Sequence, residues 1–315
     1  MKEIKMNIND KVKSAIELLQ KAEKIAKIYD PEDGYFLAFS GGKDSQCIYH
    51  LAKMAGVKLK AHMSLTSVDP AEVIRFVKTH YPDVDLIKPK ASIYTIARKK
   101  KMLPTGLMRW CCNEYKENTG AGKVTITGVR REESSRRAKR NSVEISRHKF
   151  SGDFEEFENY RDEKLSIISQ KKGKQMQSGC ISGKDTIIIN PIIDWTEKDV
   201  WYFLNNIAKV PHCELYDKGK HRIGCLFCPM STKKSIMQDA NNYPHLYKKW
   251  LDVIMDIDVK ENSKIAQLLG PYVNSDEELC VAIFDWWISK ISIQDYINKN
   301  FKQLKIDLEY ESEII

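Results

Sequence analysis

The chain has 315 residues, of which 42% are hydrophobic and 30% are charged, and its formal net charge is +8. This length accommodates one large α/β domain with an extension, or two modest domains, around a core that needs no disulfide or metal. The first residues are charged throughout, and the most apolar stretch, near residues 279–288, is interrupted by Asp285 and too short to span a bilayer. We therefore expect a cytoplasmic protein without a membrane partner, whose eight cysteines are reduced and available for metal binding or catalysis.

The predicted elements alternate between helices and strands. Helical spacing of apolar residues predicts an N-terminal helix over residues 7–28, and short apolar or β-branched runs predict buried strands. In chain order, strands are predicted at 35–39, 57–65, 84–87, 124–127 and 186–193, and helices at 45–55, 71–80 and 93–101. Such alternation predicts an α/β fold with a doubly wound parallel sheet and helices on both of its faces.

Composition divides the chain into three predicted parts. Residues 1–30 form the N-terminal helix, 31–206 the nucleotide-binding α/β domain, and 207–315 a Cys-x-x-Cys segment with a helical C-terminal region. Within the second part, residues from about 138 to 185 are rich in Lys, Glu and Ser, which predicts a polar and partly mobile surface insertion. Thr196 and Asp199 form a capping box that starts a helix running to about Asn205.

A glycine-rich segment separates the first predicted strand from the helix that follows it: Ser40-Gly41-Gly42-Lys43-Asp44-Ser45. Its two glycines let backbone N–H groups approach phosphate oxygens, and the helix N-terminus adds a partial positive charge. Ser40 and Ser45 supply hydroxyl groups and Lys43 a fixed charge, whereas Asp44 is expected to cap the helix or to meet Mg²⁺. The Walker A pattern is not met, because Asp44 follows Lys43 and Leu37 stands at the upstream glycine position.

A second polar segment, GVRREESSRR at residues 128–137, follows the fourth predicted strand. Ligands bind at the carboxyl ends of parallel strands, where arginine forks suit bidentate contact with phosphate or sulfate. We assign Arg130 and Arg137 to the catalytic site together with Lys43 and leave the neighbouring basic residues on the surface. The candidate nucleotide contacts from this segment are Gly128, Arg130, Glu133 and Ser134.

Two cysteine pairs offer four thiolates: Cys111 with Cys112, and Cys225 with Cys228. Four thiolates suffice for a [4Fe–4S] cluster or a tetrahedral Zn²⁺ ion. Zinc is the second choice, because adjacent cysteines fit its usual pair of Cys-x-x-Cys knuckles poorly. The third reading is four thiols that pack as small apolar side chains.

SGGKDS resembles the PP-loop of the ATP pyrophosphatase (adenine nucleotide α-hydrolase) families. With Cys-Cys, GVRREESSRR, NPIIDWTEKDVW at 190–201 and VPHCELYDKGKHRIGCLFC at 210–228, the chain resembles the phosphoadenosine phosphosulfate (PAPS) reductase family. The resemblance runs from about Tyr35 to Pro229, without the polar insertion. It implies an adenine nucleotide α-hydrolase-like fold and cleavage between the α- and β-phosphates. In the branch that uses adenosine phosphosulfate (APS), paired cysteines of this kind hold a [4Fe–4S] cluster.

Two features depart from the sulfonucleotide reductases of that family, which have a degenerate glycine loop and a nucleophilic cysteine near the C-terminus. Here the loop is complete and the sequence ends LEYESEII. Cys280 lies in an apolar helical pattern typical of the core, which leaves Cys180 and Cys213 as substitute nucleophiles. The complete loop resembles that of cluster-containing family members that spend ATP to activate an acceptor for sulfur insertion, including the sulfurtransferases of DNA phosphorothioation.

We therefore expect an enzyme that binds ATP with Mg²⁺, forms AMP and pyrophosphate, and activates an acceptor for sulfur transfer. A cysteine desulfurase is one expected sulfur donor, a nucleic acid is one candidate acceptor, and an oligomer is compatible with the sequence. The first alternative is a reductase of APS or PAPS. The second is a nucleotide- and cluster-binding module without turnover, in which basic residues such as Arg98–Lys101 would contact nucleic acid, although a solvated helix end explains those residues equally well.

Overall fold

The computed structural model describes residues 7–117, 119–172 and 185–301. Within these ranges the strands belong to one seven-stranded sheet with the order β3-β2-β1-β4-β7-β5-β6. In chain order the strands are β1 (Tyr35–Ala38), β2 (Leu59–Ser64), β3 (Asp85–Ile87), β4 (Val124–Ile126), β5 (Val143–Ile145), β6 (Phe150–Gly152) and β7 (Ile187–Ile189).

The five strands β3, β2, β1, β4 and β7 run parallel to one another. From β1 the chain proceeds outward through β2 to β3, and β4 then pairs with the other side of β1, where Leu37 is the register partner of Ile126. The order of strands therefore reverses between β1 and β4. Such a reversal opens a crevice at the carboxyl ends of the strands, where open α/β sheets bind their ligands.

Twelve α-helices lie in the described ranges: α1 (Ile8–Tyr29), α2 (Lys43–Ala55), α3 (Ala71–His80), α4 (Ile93–Lys100), α5 (Trp110–Cys112), α6 (Phe154–Lys172), α7 (Glu197–Tyr202), α8 (Lys233–Asn242), α9 (Pro244–Ile254), α10 (Lys264–Leu269), α11 (Asp276–Ser289) and α12 (Ile293–Asn300). Short π-helical turns extend α5, α7 and α9 over Asn113–Glu117, Phe203–Ala208 and Met255–Val259. Of these helices, none has the length and apolar character needed to cross a membrane.

The α/β fold is confirmed, but the sheet is mixed rather than wholly parallel. The difference arises in the predicted insertion, where β5 pairs antiparallel with both β6 and β7, and α6 follows. Val143 and Ile145 are buried against β7, so two apolar positions suffice to attach this polar segment to the sheet edge. Residues 143–145 and 150–152 of the predicted polar insertion are thus strands of the sheet, and residues 173–184 lie outside the described residues.

By their internal contacts the residues divide into two compact units. The first comprises Met1–Leu65, Asp69–Lys88 and Tyr115–Gly224, and contains the sheet with α1–α3, α6 and α7. The second comprises Thr66–Val68, Pro89–Glu114 and Cys225–Ile315, and is helical in its described part. Cys111, Cys112, Cys225 and Cys228 all belong to the second unit, although more than a hundred residues separate the pairs in sequence.

The core of the first unit joins α1 and α2 to the sheet. Leu19 of α1, Leu37 of β1, Ile48 of α2 and Ile126 of β4 are fully buried together. Burial of such side chains contributes about 25 cal/mol for each Å² of apolar surface removed from water. This packing holds the ends of β1, β4 and α2 in fixed relation, and the glycine loop lies between them.

Candidate functional site

The glycine loop connects β1 to α2 and needs its glycines for conformation as well as for space. Gly41 has φ +71°, and a Cβ there would lie 2.8 Å from Cγ1 of Val73. Gly42 is the N-cap of α2 and provides no side-chain cap, so the cap residue itself satisfies none of the N–H groups of the first turn. Helix α2 begins at Lys43, two residues earlier than predicted, and Asp44 lies inside the first turn. The expectation that Asp44 caps the helix is therefore wrong.

The two serines of the loop bond to each other across its base. The Ser45 hydroxyl donates to the carbonyl of Gly42 at 2.8 Å and accepts from the backbone N–H of Ser40 at 3.2 Å. The two serine hydroxyl oxygens are 3.1 Å apart. These bonds make the turn rigid, which reduces the conformational entropy that a ligand would otherwise have to remove.

Lys43 is the first cation of the site, and only 4% of its surface is exposed. Its backbone N–H donates to the Tyr216 hydroxyl at 2.8 Å. Its ammonium lies 3.4 Å from Oδ2 of Asp44 and 3.3 Å from Oε1 of Glu197. Burial raises the pKa of Tyr216, which keeps its hydroxyl protonated beside the loop.

Arg130 is the second cation, and only 3% of it is exposed. Its Nε donates to Oδ1 of Asp44 at 2.7 Å, and its Nη1 donates to Oε2 of Glu132 at 2.7 Å. Burial lowers the pKa of Arg130, but Asp44 and Glu132 outweigh this effect and raise it. Gly128 allows the loop after β4 to lie close to the first turn of α2, because a Cβ at this position would lie 2.9 Å from the backbone of Asp44. The loops that follow β1 and β4 are thus joined by a buried ion pair at the switch point of the sheet.

Glu132 links this pair to helix α7. Its Oε2 accepts a hydrogen bond from the backbone N–H of Glu197 at 2.6 Å. The predicted capping box is confirmed: Thr196 accepts from the N–H of Asp199, and the Asp199 carboxylate accepts from the N–H of Thr196 at 2.7 Å. Lys11 of α1 holds the same carboxylate at 2.6 Å. The first turn of α7 is therefore fixed from three directions beside the loop.

The remaining predicted residues of the second polar segment bond mainly within that segment. Glu133 accepts from the backbone N–H of Arg130 at 3.1 Å and forms an ion pair with Arg137. The N–H of Arg137 donates to the Ser134 hydroxyl at 3.3 Å. Arg130 is thus brought to the glycine loop, whereas Arg137 contacts Glu133 on the neighbouring turn. The sequence does not predict three residues that lie at the loop: Glu132, Glu197 and Tyr216. For the last two, the sequence offers only their position in the segments 190–201 and 210–228, which resemble the family.

The segment between Cys225 and Cys228 is a turn buried in the second unit. Leu226 and Phe227 are 3% and 1% exposed, and Phe227 adopts a left-handed conformation with φ +53°. The N–H of Phe227 donates to Oδ2 of the buried Asp239 at 3.0 Å. This arrangement packs the two intervening side chains into the core and leaves both cysteines half-buried.

The first cysteine pair lies in the short helix α5, and both thiols are half-buried. A hydrogen bond with Cys112 and burial raise the pKa of Cys111, and the charges of Cys225 and Cys228 raise it further. The two pairs are thus near enough to interact electrostatically. Among the described residues, no three His, Cys, Asp or Glu side chains form a group that could hold a metal ion.

The basic run at the end of α4 is largely neutralised within the second unit. Arg98 pairs with Asp256 at 2.7 Å, and Lys101 pairs with Glu261 at 2.7 Å. Lys100 lies 3.4 Å from Glu114. These pairs support the reading of this run as a helix end stabilised by carboxylates rather than as a surface for nucleic acid.

A mixed α/β sheet with a glycine loop at its switch point, and two buried cations at that loop, defines a protein with a nucleotide-binding fold of the PP-loop type. Residues 34–231, more than half of the chain, match the phosphoadenosine phosphosulfate reductase domain. The chain belongs to that family.

Known relatives are similar over part of their length. An uncharacterized protein of Methanocaldococcus jannaschii, MJ0973, is 30% identical over 228 residues, which cover 69% of this chain and 46% of that protein. Adenosine 5'-phosphosulfate reductase of Lysinibacillus sphaericus is 26% identical over 177 residues, covering 53% of this chain and 59% of the relative. The chain spans about half the length of the curated relatives it matches.

Among solved structures, phosphoadenylyl-sulfate reductase from Candida auris is similar with a TM-score of 0.39 and 18% identity, covering 71% of this chain and 97% of that one.

Proposed function

We propose that this protein cleaves ATP to AMP and pyrophosphate in order to activate an acceptor for sulfur transfer. The observation that carries the proposal is the complete glycine loop, with buried Lys43 and Arg130 both directed to the carboxylate of Asp44 in the first turn of α2. A loop with two glycines at a helix N-terminus, supported by two cations, suits a ligand with several adjacent negative charges.

In the proposed reaction an acceptor oxygen attacks the α-phosphorus of ATP. The new bond joins that oxygen to the α-phosphorus, the bond from the α-phosphorus to the α,β-bridging oxygen breaks, and pyrophosphate leaves with the electron pair. Gly41, Gly42 and Ser45 would hold the departing pyrophosphate through the loop, and Lys43 and Arg130 would stabilise the charge that develops on it. Stabilisation of this kind is usually the largest catalytic contribution in phosphoryl transfer.

The second step is displacement of AMP from the activated acceptor. A sulfur nucleophile at the sulfide level forms a bond to the acceptor atom, and the bond from that atom to the oxygen of AMP breaks, with AMP leaving with the electron pair. If the donor is a cysteine desulfurase, its persulfide sulfur also requires a two-electron reductant, such as a dithiol, as co-reactant. The net charge of +8 is compatible with a nucleic acid acceptor, although Arg98, Lys100 and Lys101 already pair with carboxylates.

The four cysteines of the second unit fit a thiolate-bound cofactor by their chemistry. The four sulfur atoms are soft donors of the kind that iron–sulfur clusters and Zn²⁺ take. A hydrogen bond with Cys112, burial and the charges of Cys112, Cys225 and Cys228 raise the pKa of Cys111, and a bound cation would favour its thiolate instead. We propose Cys111, Cys112, Cys225 and Cys228 as the ligands. When bound, a [4Fe–4S] cluster would supply a site at which sulfur can be held. Mg²⁺ would accompany the nucleotide, with Asp44 as the nearest carboxylate of the loop.

A sulfonucleotide reductase is the alternative suggested by the similarity to the Lysinibacillus sphaericus enzyme. That chemistry requires a thiolate nucleophile. Burial raises the pKa of Cys213, and burial raises the pKa of Cys280 to about 11, so both described candidates are thiols at neutral pH. Cys180 lies outside the described residues. Cys213 and Cys280 are also 0% and 2% exposed, so neither described thiol is accessible to a sulfonucleotide, and this burial favours ATP-driven activation.

The test is formation of AMP and pyrophosphate from ATP by protein purified without oxygen, with DNA, tRNA and small oxyanions supplied in turn. We expect pyrophosphate exchange into ATP with one acceptor class and its loss in Lys43→Ala. The matched control is Lys53→Ala on the same helix, because Lys53 is half-exposed and pairs with Asp83 instead. If no acceptor supports exchange, the proposed reaction is wrong, and release of sulfite from APS or PAPS would establish the reductase instead.

A further inference from the structure

The ammonium of Lys43 is held by a carboxylate from another part of the fold. Besides Asp44, its neighbour in sequence, Nζ meets Oε1 of Glu197 at 3.3 Å. The Lys43 side chain is 5% exposed, whereas that of Glu197 is 50% exposed. The pair therefore joins a buried cation to a half-exposed anion. The carboxylate of Glu197 can separate from the ammonium and remain solvated.

The backbone of Glu197 is fixed by the fold, while its carboxylate is half-exposed and pairs with Lys43. Its backbone N–H donates to Glu132 at 2.6 Å, and it follows Thr196, the N-cap of α7. Lys11 stabilises the same helix terminus through its ion pair with Asp199. Within the part of the chain that the structure describes, Lys43 is the one cation paired with the Glu197 carboxylate. Asp44, by contrast, is held by Arg130 as well as by Lys43.

The charges at the loop leave no surplus of positive charge for a ligand. The cations Lys43 and Arg130 face three carboxylates, those of Asp44, Glu132 and Glu197, which leaves a formal charge of −1. Because the Lys43 ammonium lies against two carboxylates, a polyphosphate that binds it has to displace one of them. Glu197 is that carboxylate, because it has one partner and an open path to water, whereas each of the others has a second partner.

We propose that Glu197 determines the affinity of the loop for pyrophosphate by competing for Lys43. It withdraws when the β- and γ-phosphates of ATP arrive, and it recaptures the ammonium as pyrophosphate leaves. This inference rests on the proposed function, since it assumes that the loop holds a pyrophosphate group. The same competition that weakens ground-state binding speeds product release, so Glu197 acts through Lys43 and is a positioning residue.

The test is calorimetric binding of inorganic pyrophosphate, at fixed Mg²⁺, to the full chain and to Glu197→Gln. We expect the variant to bind pyrophosphate about two- to fivefold more tightly, the range expected when one partly exposed ion pair no longer competes. Adenosine, which has no phosphate to reach Lys43, should bind both proteins equally. During turnover the variant should show a lower KM for ATP together with a lower kcat and stronger inhibition by pyrophosphate.

The matched control is Glu155→Gln, because Glu155 is an exposed glutamate in the first turn of α6. It shares no hydrogen bond or ion pair with the loop among the described residues, and its loss should leave pyrophosphate affinity unchanged. Glu197→Ala provides a second removal of the carboxylate should the glutamine variant fold poorly. A purely structural role for Glu197 would lower the melting temperature and weaken binding, which contradicts the proposal. Equal affinity of wild type and Glu197→Gln refutes it while the nucleotide function stands, and absence of pyrophosphate binding to either protein refutes both.

Discussion

Nε of Arg130, four residues beyond the end of β4, donates to Oδ1 of Asp44, in the first turn of α2, at 2.7 Å. This bond connects the two loops that flank the reversal of strand order, and it does so where less than a twentieth of the arginine is exposed. A buried charge that loses its partner is costly, so each of the two residues depends on the other. The pair therefore sets both the shape of the site and its charge.

Replacing Arg130 should lower both the stability of the protein and its rate of AMP formation. Arg130→Ala leaves the carboxylates of Asp44 and Glu132 without their shared partner, and we expect a loss of about 1–3 kcal/mol in the free energy of unfolding and at least about 10²-fold in AMP formation. Arg130→Lys keeps the charge but cannot bond to both carboxylates at once, so it should recover stability more than turnover. Denaturant titration and single-turnover AMP formation measure the two effects.

The neighbouring Arg131 is the control for that experiment. It is partly exposed and pairs with Asp194, so Arg131→Ala should leave AMP formation within about twofold of wild type. Equal losses in Arg130→Ala and Arg131→Ala would show that the buried pair has no special part in the reaction.

Gly41→Ala should abolish nucleotide binding by the loop. It combines backbone strain with a steric clash, and a control variant distinguishes these two effects. An alanine at φ +71° is strained by about 1–2 kcal/mol, and its Cβ would also meet the stiff side chain of Val73 at 2.8 Å. Gly56→Ala is the matched control, because Gly56 has φ +68° with no atom within 4 Å of the added Cβ. Both variants should lose stability from the backbone, whereas only Gly41→Ala should lose nucleotide binding by calorimetry. Unchanged binding in Gly41→Ala would show that the loop does not hold the nucleotide.

Cofactor content should depend on the two cysteine pairs and on no other described cysteine. After anaerobic purification we expect about four iron atoms and four sulfides per chain, and loss of most of both in Cys225→Ser. Cys280→Ala is the control, because Cys280 is 2% exposed in α11 and should change only packing. A colourless wild-type protein with one zinc per chain would show that the cysteines bind structural zinc rather than a cluster. Retention of iron in Cys225→Ser would exclude this cysteine as a ligand.

The ion pair between Lys11 and Asp199 should make stability depend on pH. Burial raises the pKa of Asp199, but the hydrogen bonds from Lys11 and Thr196 outweigh this effect, and its folded-state pKa lies below the usual value. A lowered carboxyl pKa contributes stability that is present above the unfolded pKa of about 3.9 and is lost as pH falls through the folded-state value. Lys11→Met should therefore cost about 1 kcal/mol at pH 7, and this cost should shrink progressively as pH falls below the unfolded pKa of about 3.9.

Urea denaturation of wild type and Lys11→Met across this pH range measures the difference. Lys13→Met is the comparison, since Lys13 is exposed and lies 4.0 Å from Glu17, and it should change stability little at any pH. A penalty for Lys11→Met that does not vary with pH would mean that the lysine acts by packing rather than by its charge.

Local patterns predicted most elements because they depend on neighbours in sequence. Helix α3 spans Ala71–His80 as predicted, since Pro70 and helical spacing specify its start and its buried face. The capping box at Thr196 was found for the same reason. The hairpin of β5 and β6 is not predicted, because a three-residue strand is too short to show a clear alternation of apolar and polar residues. The place of these strands in the sheet also depends on the pairing of β5 with β7.

The sequence by itself determined the chemical character of the loop. Two glycines, a lysine and two serines between a buried strand and a helix predict a phosphate-binding turn, because backbone conformation and helix polarity act over a few residues. Only the tertiary structure decided which groups face Lys43. The Tyr216 hydroxyl that accepts from its N–H is 173 positions away, and the competing carboxylate of Glu197 arrives on another helix. Charges interact through space rather than along the chain, so the balance of two cations against three carboxylates exists only once β1, β4 and α7 have been brought together.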